Sequence, residues 1–298
     1  MTSFLKRFGF ILIAIILIAN VLSFISLWGL KQGSFYKPSF LVNEVKQDNF
    51  DYIILGASTG LTTIHTQAVD AISKTSGINL AMDDTNLPSQ YLMLQHFLAQ
   101  GKTTKICVLA PSVDGYIAPN EKLSDNDYRF LPYVSEPYVL DYYQQFSQTD
   151  AKLLALSKWQ PMLGVAYFNA ELFYPSLVSI LSPERHNRFD HYGNYTYPYK
   201  KMESSEILES EIMSLELNSE VLGRIRMLCE ANDIKLVCYI SPLKLKTVVL
   251  SQTDYEVINH SDVLDDASYF YDDIHVNSKG RTLVSEQFAE DLMLYVQK

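Results

Sequence analysis

The feature of this sequence that most constrains its fold is an uninterrupted apolar segment near the amino terminus. Phe8 to Leu30 contains 23 residues and no charge. At a rise of about 1.5 Å per residue, a helix of this length crosses a hydrocarbon layer of roughly 30 Å. The segment therefore predicts a single transmembrane helix over residues 8–30, with residues 1–7 as a stub on one side of the membrane.

The alternative for the same segment is a cleaved signal peptide, whose apolar region is about 7 to 15 residues long and ends at small residues. Here the run is longer, and Ser26-Leu27-Trp28-Gly29 is a poor cleavage site, so an uncleaved anchor is favoured. Because only seven residues precede the helix, we expect the amino terminus to stay in the cytoplasm. The main domain is then expected on the other side of the cell membrane, in the periplasm or outside the cell, with membrane lipid as the partner of residues 8–30.

The charge of the chain after this helix excludes one class of partner. The first thirty residues hold two basic residues, Lys6 and Arg7, and the rest of the chain holds 22 basic against 34 acidic residues, a net charge of −12. Binding to nucleic-acid phosphates needs a basic surface, so no nucleic-acid partner is expected. Cys107, Cys229 and Cys238 fall in predicted apolar strands or a helix, which favours buried free thiols over a disulfide framework.

Beyond the apolar helix, strand-like and helix-like segments alternate. Residues 31–48 are predicted as a short stalk, and the main domain is predicted over residues 49–298. Short apolar runs closed by Gly, Pro or polar residues predict buried parallel strands. They are Tyr52–Leu55, Ile78–Ala81, Lys105–Ala110 and Ile234–Ile240. Strands that alternate with helices predict an α/β fold with a mostly parallel sheet covered on both sides, in which sites lie beyond the carboxyl ends of the strands.

The alternation breaks between about residues 116 and 203, in a stretch rich in Tyr, Phe, Pro and Asn. We interpret this stretch as an insertion or cap, with helical patterns at Asp150–Trp159 and about Leu163–Leu181. Aromatic faces suit sugar rings, and the segment 188–195 is a candidate substrate loop. Its candidate binding residues are Asp190, Tyr192 and Asn194. The alternative is a turn that packs on the domain through its aromatic side chains.

Two distant segments supply the residue types needed to activate a hydroxyl nucleophile. Ser58 follows an apolar run through Gly56 and Ala57, whose small size permits a tight turn that presents the hydroxyl at the sheet edge. Asp272 stands three residues before His275. At this spacing the carboxylate can accept a hydrogen bond from one imidazole nitrogen while the other nitrogen takes the serine proton. The alternatives are a turn serine or helix cap at Ser58, and a surface histidine before a capped helix at His275.

Both segments resemble blocks of the SGNH (GDSL-like) hydrolase superfamily. Residues 271–280, Tyr-Asp-Asp-Ile-His-Val-Asn-Ser-Lys-Gly, resemble its Asp-x-x-His-x-Asn-x-x-Gly block before a final helix. Residues 53–58, Ile-Ile-Leu-Gly-Ala-Ser, resemble its first block, with Ala57 in place of the usual Asp. The chain order also agrees, and the resemblance covers roughly residues 50–114 and 219–298. It implies a three-layer α/β sandwich with a mostly parallel, flavodoxin-like sheet.

The resemblance also implies roles for individual residues. Ser58 would be the nucleophile, His275 the general base and Asp272 the acid that orients it. The main-chain N–H of Ser58 and groups near Asp83 and Ser112 would stabilise the oxyanion. The superfamily has a glycine after the second strand and an asparagine after the third, where this chain has the turn 79–84 and residues 111–114, and the two carboxylates of the first of these segments would repel a developing negative charge. The donor is therefore expected from Ser112 or from a main-chain N–H.

Membrane-anchored members that open and end in this way include D-alanine transfer proteins and the acetylation proteins of alginate-like polymers. The resemblance implies an outward-facing O-acyltransferase or esterase that acts on a cell-envelope polysaccharide through an acyl-serine intermediate. A glycan, an acyl donor and a membrane-embedded transferase are the implied partners. A lipid or small-ester hydrolase is the nearest enzymatic alternative.

The missing glycine and asparagine motivate a hypothesis of another class. The chain would then be a catalytically inactive, SGNH-like glycan-binding or scaffold protein of a polysaccharide assembly or modification system. No cofactor and no metal site are expected under either hypothesis, because the histidines and cysteines show no metal-ligand spacing.

Overall fold

The computed structural model describes residues 2–117, 121–199 and 211–296, so residues 118–120 and 200–203 of the predicted insertion lie outside the described residues. The chain divides into two compact units. The first, here called the helical unit, comprises residues 1–44, 121–123 and 127–187. The second, here called the sheet unit, comprises residues 45–120, 124–126 and 188–298.

The sheet unit is built on a five-stranded parallel sheet. The strands of the described chain are β1 (Asn49–Gly56), β2 (Gly77–Asn79), β3 (Thr103–Ala110), β4 (Glu211–Leu215), β5 (Lys235–Ile240), β6 (Lys246–Leu250) and β7 (Glu256–Asn259). Five of them form one sheet in the order β2-β1-β3-β5-β7, and each of its pairings is parallel. β4 and β6 pair separately, also in parallel. The predicted α/β fold with a mostly parallel sheet is confirmed.

Helices precede, connect and follow these strands. In chain order they are α1 (Thr2–Gln32), α2 (Lys37–Asn43), α3 (Ser58–Thr63), α4 (Thr66–Ser73), α5 (Leu87–Ala99), α6 (Val113–Ile117), α7 (Pro137–Gln144), α8 (Thr149–Leu156), α9 (Met162–Tyr167), α10 (Asn169–Leu181), α11 (Glu220–Glu230) and α12 (Ser278–Val296). Short 3-10 helices occupy Asp127–Tyr133 and Ala267–Tyr269.

Side chains on both faces of the central strands are buried. Tyr52 and Ile54 of β1 lie in a core cluster with Phe288 of α12. Ile53 and Leu55, which alternate with them and point to the opposite face, are fully buried too. A strand segment that is buried on both faces must be apolar, and this explains the continuous apolar runs Tyr52–Leu55 in β1, Ile106–Ala110 in β3 and Leu236–Ile240 in β5.

The strand order reverses between β1 and β3. β2 lies on one side of β1, whereas β3, β5 and β7 follow on the other side. In an open parallel sheet the loops after two such strands diverge, which leaves a crevice at their carboxyl ends. The residues that follow these strands are Ala57-Ser58 after β1 and Pro111-Ser112 after β3. The topology therefore places Ser58 and Ser112 at this crevice.

The helical unit begins with α1, the one helix of the described residues that is long and apolar enough to cross a membrane. The predicted apolar amino-terminal helix is confirmed. Its first half is largely exposed, whereas Ser26, Leu27 and Leu30 near its end are buried. Only the last part of α1 is thus covered by other residues of the protein.

Residues 31–48, predicted as a stalk, are mostly folded. α2 lies within them, with Pro38 in its first turn, a position that suits proline. Phe40 and Leu41 of α2 are fully buried, and the Tyr36 hydroxyl donates a hydrogen bond of 2.6 Å to the Glu171 carbonyl. The apolar side chains of this segment are scattered among polar residues in the sequence but are buried in the structure. Residues 31–44 therefore belong to the helical unit.

The predicted insertion is divided between the two units. Residues 127–187 lie in the helical unit together with the amino-terminal segment, and residues 188–199 lie in the sheet unit. Cys107, Cys229 and Cys238 are buried and free in the sheet unit, as predicted. Burial raises the pKa of the Cys238 thiol to about 12, so this thiol stays protonated.

Candidate active site

Ser58 is the first residue of α3 and follows β1 through two small residues. A Cβ atom on Gly56 would overlap the carbonyl oxygen of Ala110 in β3, so no side chain fits there. The N–H of Ala57 donates to that same carbonyl at 3.2 Å. The close approach of β1 to β3 thus fixes the point at which the chain turns into α3. The first N–H groups of a helix have no partner within it, and Ser58 occupies this position.

Ser58, His275 and Asp272 form one chain of hydrogen bonds. Nε2 of His275 lies 2.8 Å from Oγ of Ser58. Nδ1 of His275 lies 2.8 Å from Oδ2 and 3.0 Å from Oδ1 of Asp272. A carboxylate can only accept, so Nδ1 carries the proton and Nε2 is left to accept the serine hydroxyl. The structure therefore brings these three predicted residues together in the order that proton transfer requires.

Asp272 is held by its own turn. Its Oδ1 accepts the main-chain N–H groups of Ile274 at 3.0 Å and His275 at 2.9 Å. Desolvation alone would raise the pKa of Asp272, but the hydrogen bonds from the His275 ring and these N–H groups outweigh it and lower the pKa below its ordinary value. The Asp272 carboxylate is therefore ionised at neutral pH.

The start of α12 fixes this turn from the other side. Asn277 is fully buried, and its Oδ1 accepts the N–H groups of Lys279 and Gly280 at 3.0 and 3.3 Å. Its Nδ2 donates to the carbonyl of Ser268 at 2.7 Å. A Cβ on Gly280 would overlap the carbonyl of Tyr269. The Asn-x-x-Gly spacing after His275 is thus explained by a helix cap packed tightly on the preceding loop.

Two aromatic side chains that the sequence analysis missed line the histidine. The Tyr197 and Tyr271 rings are stacked at 4.3 Å with an interplanar angle of 10°, and the Tyr197 ring lies 5.1 Å from that of His275. Burial, followed by the charges of Tyr195 and Asp272, raises the pKa of Tyr197, so its hydroxyl stays neutral. The aromatic density of the predicted insertion was a sequence signal for Tyr197, whereas Tyr271 lies outside the insertion, directly before Asp272.

Asp83 lies in the turn after β2, beside the end of β1. The preceding residue, Met82, donates its N–H to the Gly56 carbonyl at 3.0 Å, and the charge of Asp83 contributes to the raised pKa of Tyr197. The next residue, Asp84, has φ of 51°, in the left-handed region that favours glycine and tolerates Asp. The turn therefore adopts a glycine-like backbone although the chain has no glycine there.

Ser112 follows β3 and caps the short helix α6. Its Oγ accepts the N–H of Gly115 at 3.1 Å, which leaves the hydroxyl proton able to donate. Ser112 also lines a cavity of about 500 Å³. This cavity borders the triad through Thr59, which follows Ser58, and through Asp273 and Ile274, which lie between Asp272 and His275.

The cavity contains polar groups that the sequence analysis did not single out. Oγ1 of Thr59 and Oγ of Ser241 are buried and have no hydrogen-bond partner among the described residues. Lys244 also lines the cavity, and its Nζ lies 3.5 Å from Oδ1 of Asp273. Buried hydroxyls without a partner are costly, so a small side-chain rotation that pairs either of them with a ligand or water in this cavity is favoured.

The candidate substrate loop is a packed turn. Oδ1 of Asp190 accepts the N–H groups of Tyr192 at 2.9 Å and Asn194 at 2.8 Å. Asn194 is buried, and its Oδ1 accepts the N–H of Thr66 at the start of α4 at 3.3 Å. The polar groups of Asp190 and Asn194 thus hold the backbone, and the Tyr192 side chain is exposed. In the part of the chain that the structure describes, none of the three has a hydrogen bond to the triad.

No protein-family model matches the chain, and no curated protein matches it. The chemistry of this site therefore has to be inferred from the geometry of the chain's own residues.

Proposed function

We propose that the sheet unit is an SGNH-type serine O-acyltransferase or esterase that works through an acyl-Ser58 intermediate. The observation that carries this proposal is the hydrogen-bonded chain from Ser58 through His275 to Asp272. The sheet order and the two buried sheet faces also support the three-layer, flavodoxin-like arrangement of that superfamily. A fold alone does not imply a function, so the proposed function depends on the geometry of the site.

The proposed reaction has four proton transfers, all of them to or from one imidazole nitrogen. Oγ of Ser58 attacks the acyl carbonyl while its proton passes to Nε2 of His275, and Asp272 stabilises the imidazolium. Nε2 then returns the proton to the departing alcohol, which leaves the acyl group on Ser58. An acceptor hydroxyl next attacks this ester as it gives its proton to Nε2, and Ser58 recovers that proton when it leaves. With water as the acceptor the same steps give hydrolysis.

A second histidine in the sheet unit shows what is particular about His275. His260 also pairs with a carboxylate, Asp291, at 2.7 Å. Its other ring nitrogen faces the hydroxyl of Tyr239 at 3.2 Å, and the residue is 3 % exposed. Among the described residues, the His260 ring faces no aliphatic hydroxyl, and it is itself shielded from solvent. The arrangement at His275 has both an aliphatic hydroxyl and access to solvent, which supports a chemical role for His275 over a purely structural one.

The oxyanion is proposed to be held by the main-chain N–H of Ser58 and by the hydroxyl of Thr59. The Thr59 hydroxyl lies one residue from the nucleophile, is buried and has no other partner among the described residues. A preorganised donor in a site shielded from water stabilises a developing charge far more than it would in water. This arrangement would replace the glycine and asparagine that the chain lacks.

A membrane-anchored enzyme with its main domain outside the cytoplasm is the proposed setting. Buried contacts of Ser26 and Leu30 make the end of α1 part of the helical unit, which favours an uncleaved anchor over a removed signal peptide. The stacked pair Tyr197 and Tyr271 beside His275 suits a sugar ring, which supports a cell-envelope polysaccharide as acyl acceptor or acyl ester. An acyl donor and a membrane-embedded transferase complete the proposed partners.

A catalytically inactive glycan-binding or scaffold protein is the second candidate. The observation in its favour is the acidic turn at Asp83 and Asp84, whose φ of 51° places Asp84 in a glycine-like conformation next to the end of β1. Negative charge at this place opposes oxyanion formation. Activity and binding measurements on one preparation decide between the two candidates.

The test uses the full-length protein in detergent with a fluorophosphonate probe and an acetyl ester. We expect covalent labelling and turnover, both lost in Ser58→Ala and both kept in Ser73→Ala, whose hydroxyl bonds within its own segment. Mass spectrometry of a cell-wall oligosaccharide added as acceptor separates transfer from hydrolysis. Labelling that persists in Ser58→Ala would overturn the proposal, and glycan binding without labelling would favour the inactive scaffold.

A further inference from the structure

The helices α9 and α10 of the helical unit expose an unusual amount of apolar surface. Between Trp159 and Ser182 the only charged residue is Glu171. The exposed large side chains of this stretch are Trp159, Tyr167, Phe173, Tyr174, Leu177, Ile180 and Leu181. Exposing an apolar surface of this kind to water costs free energy, and such surfaces mark contacts with a protein or a membrane.

These helices lie directly alongside α1. The side chain of Asn20 accepts the N–H of Met162 at 3.4 Å, and Oγ of Ser26 donates to the Leu172 carbonyl at 3.3 Å. A Cβ atom on Gly33 would overlap the Ser179 side chain, so glycine permits close approach of the two backbones. Since contacts advance together along both helices, α10 runs in the same direction as α1.

The contacts set the depth of α9 along the apolar segment. Asn20 lies ten residues before Leu30, the last residue of the uncharged run, a distance of about 15 Å along a helix axis. The start of α9, at Met162, is therefore well inside the stretch of α1 that would cross a membrane. Phe24 and Trp28 of α1, at the level of α10, are themselves exposed.

We infer that α9 and α10 are embedded in the outer leaflet of the lipid bilayer beside α1, so that three helices anchor this protein. The inference rests on the membrane insertion of α1 in the proposed function. Lipid is the occupant that the structure favours, because residues 8–30 contain no charged residue and residues 159–182 contain only Glu171.

The charged residues of this stretch have local partners. Nζ of Lys158, four residues before Met162, lies 5.5 Å from the centre of the Trp159 ring, a cation–π contact that offsets part of the cost of a charge in an apolar layer. Glu171 lies in the first turn of α10, where the helix dipole favours an acid.

The two tryptophans of the chain, Trp28 and Trp159, allow a direct test. Full-length Trp28→Phe, which retains only Trp159, is reconstituted into vesicles of phosphatidylcholine and phosphatidylglycerol. We expect the Trp159 emission to be blue-shifted, to lose most of its intensity when the lipids carry spin-labelled acyl chains, and to resist quenching by aqueous iodide. Both tryptophans are exposed in the protein, so Phe is expected to preserve the fold, and circular dichroism checks this.

The matched variant Trp159→Phe reports on Trp28 of α1 under the same conditions. If labelled lipids quench Trp28 while only iodide quenches Trp159, α1 is inserted and the inference is wrong. If labelled lipids quench neither residue, membrane insertion of α1 is wrong and the inference falls with it. If iodide reaches Trp159 in pure vesicles but not in native membranes, a protein covers this face and the lipid assignment is overturned.

Discussion

The imidazole of His275 is restrained on several sides. Asp272 holds one nitrogen, Ser58 contacts the other, and the Tyr197 ring packs beside it. The main-chain carbonyl of His275 also accepts the N–H of Tyr271 at 2.8 Å. Only 12 % of its side chain is exposed. A base held in one orientation does not have to be ordered during the reaction, which is the main requirement for a preorganised site.

The variant Asp272→Asn tests the orienting role of the carboxylate. An amide cannot hold the imidazole in the required tautomer as a carboxylate does, so kcat is expected to fall by ~10³–10⁴. The melting temperature is expected to change little, because the side chain is 45 % exposed and an amide oxygen can still accept the N–H of Ile274. Initial rates with an acetyl ester and thermal unfolding measure both quantities.

The control is Asp265→Asn, the same chemical change at an exposed carboxylate of the neighbouring loop. It is expected to leave kcat and melting temperature unchanged. Full activity in Asp272→Asn would contradict a role for the carboxylate in catalysis.

The variant Thr59→Val tests the proposed second oxyanion donor. Valine has nearly the shape of threonine without the hydroxyl, and loss of one donor is expected to lower kcat by ~10² with little change in KM. The free energy of unfolding is expected to stay equal or to rise, because the buried Thr59 hydroxyl has no partner to lose among the described residues. Steady-state kinetics and denaturant unfolding give the two results.

Thr63→Val is the matched control for this prediction. Its hydroxyl lies in the same helix, is equally buried and is likewise without a partner among the described residues, but Thr63 does not line the cavity. We expect unchanged kcat in this variant. Equal losses of kcat in both variants would point to a general effect on α3 and against the donor role of Thr59.

At the scale of residues, local spacing was the most informative part of the sequence. Asp272 and His275 are three positions apart, so one turn settles their contact, and the topology of a parallel sheet brings Ser58 to the same edge. Thr59, Tyr197 and Ser241 were missed because their importance comes from a cavity and a stacking contact that form only after folding. The catalytic roles of the triad stay predictions.

Among the elements, burial decided which strands the sequence could predict. The later residues of β1, β3 and β5 are buried on both faces and form continuous apolar runs, whereas the first residues of these strands include polar or charged ones. β4, β6 and β7 were not predicted, because they are short and partly exposed and include polar or charged residues. The helical pattern at Leu163–Leu181 is present as two helices, α9 and α10, which are separated by Phe168 with φ of −102° and ψ of 45°.

The contact between α4 and β2 contains a carboxyl group whose ionisation opposes folding. Oδ2 of Asp70 accepts the N–H of Gly77 at 3.0 Å, and Oδ1 accepts the Thr75 hydroxyl at 3.1 Å. Burial nevertheless raises the pKa of Asp70 to about 6. The pKa of Asp70 is higher in the folded chain than in the unfolded chain, so the protonated carboxyl favours folding. This contribution to the free energy of unfolding is complete below about pH 4 and is lost as the pH rises through about 6.

The variant Asp70→Asn is expected to remove this loss. Its free energy of unfolding relative to the wild type should rise by about 1–2 kcal/mol between about pH 4 and pH 7, an estimate reduced because the carboxyl is partly exposed. Denaturant unfolding of both proteins in detergent over this pH range measures the difference. A difference that stays constant with pH would contradict the raised pKa.

Asp51→Asn is a control of opposite sign. Desolvation would raise the pKa of Asp51, but hydrogen bonds from Lys105 and Ser76 outweigh it and lower the pKa. Its ionised form therefore stabilises the fold above about pH 4. The free energy of unfolding of this variant is expected to lie below that of the wild type by a constant amount between about pH 5 and pH 7, and this deficit is expected to shrink as the pH falls below about 4.

For the whole molecule, the sequence predicted the structural type of each segment better than it predicted which segments fold together. The apolar helix, the α/β region and the aromatic insertion were all recognisable from composition and periodicity. The sequence did not indicate that residues 127–187 fold with residues 1–44. Small residues such as Ser26 and Gly29 can face either lipid or a neighbouring helix. Composition therefore did not reveal that these two residues contact α10.

The packing of α10 on α1 has a consequence for biosynthesis. Gly29 leaves the ribosome about 147 residues before Ser176, its neighbour in α10, and translation needs on the order of ten seconds for such a length. During this interval the nascent α1 presents a bare glycine and serine face, to which any other helix with small residues can bind. Newly made chains are therefore most vulnerable to mispairing before the second half of the protein has been translated.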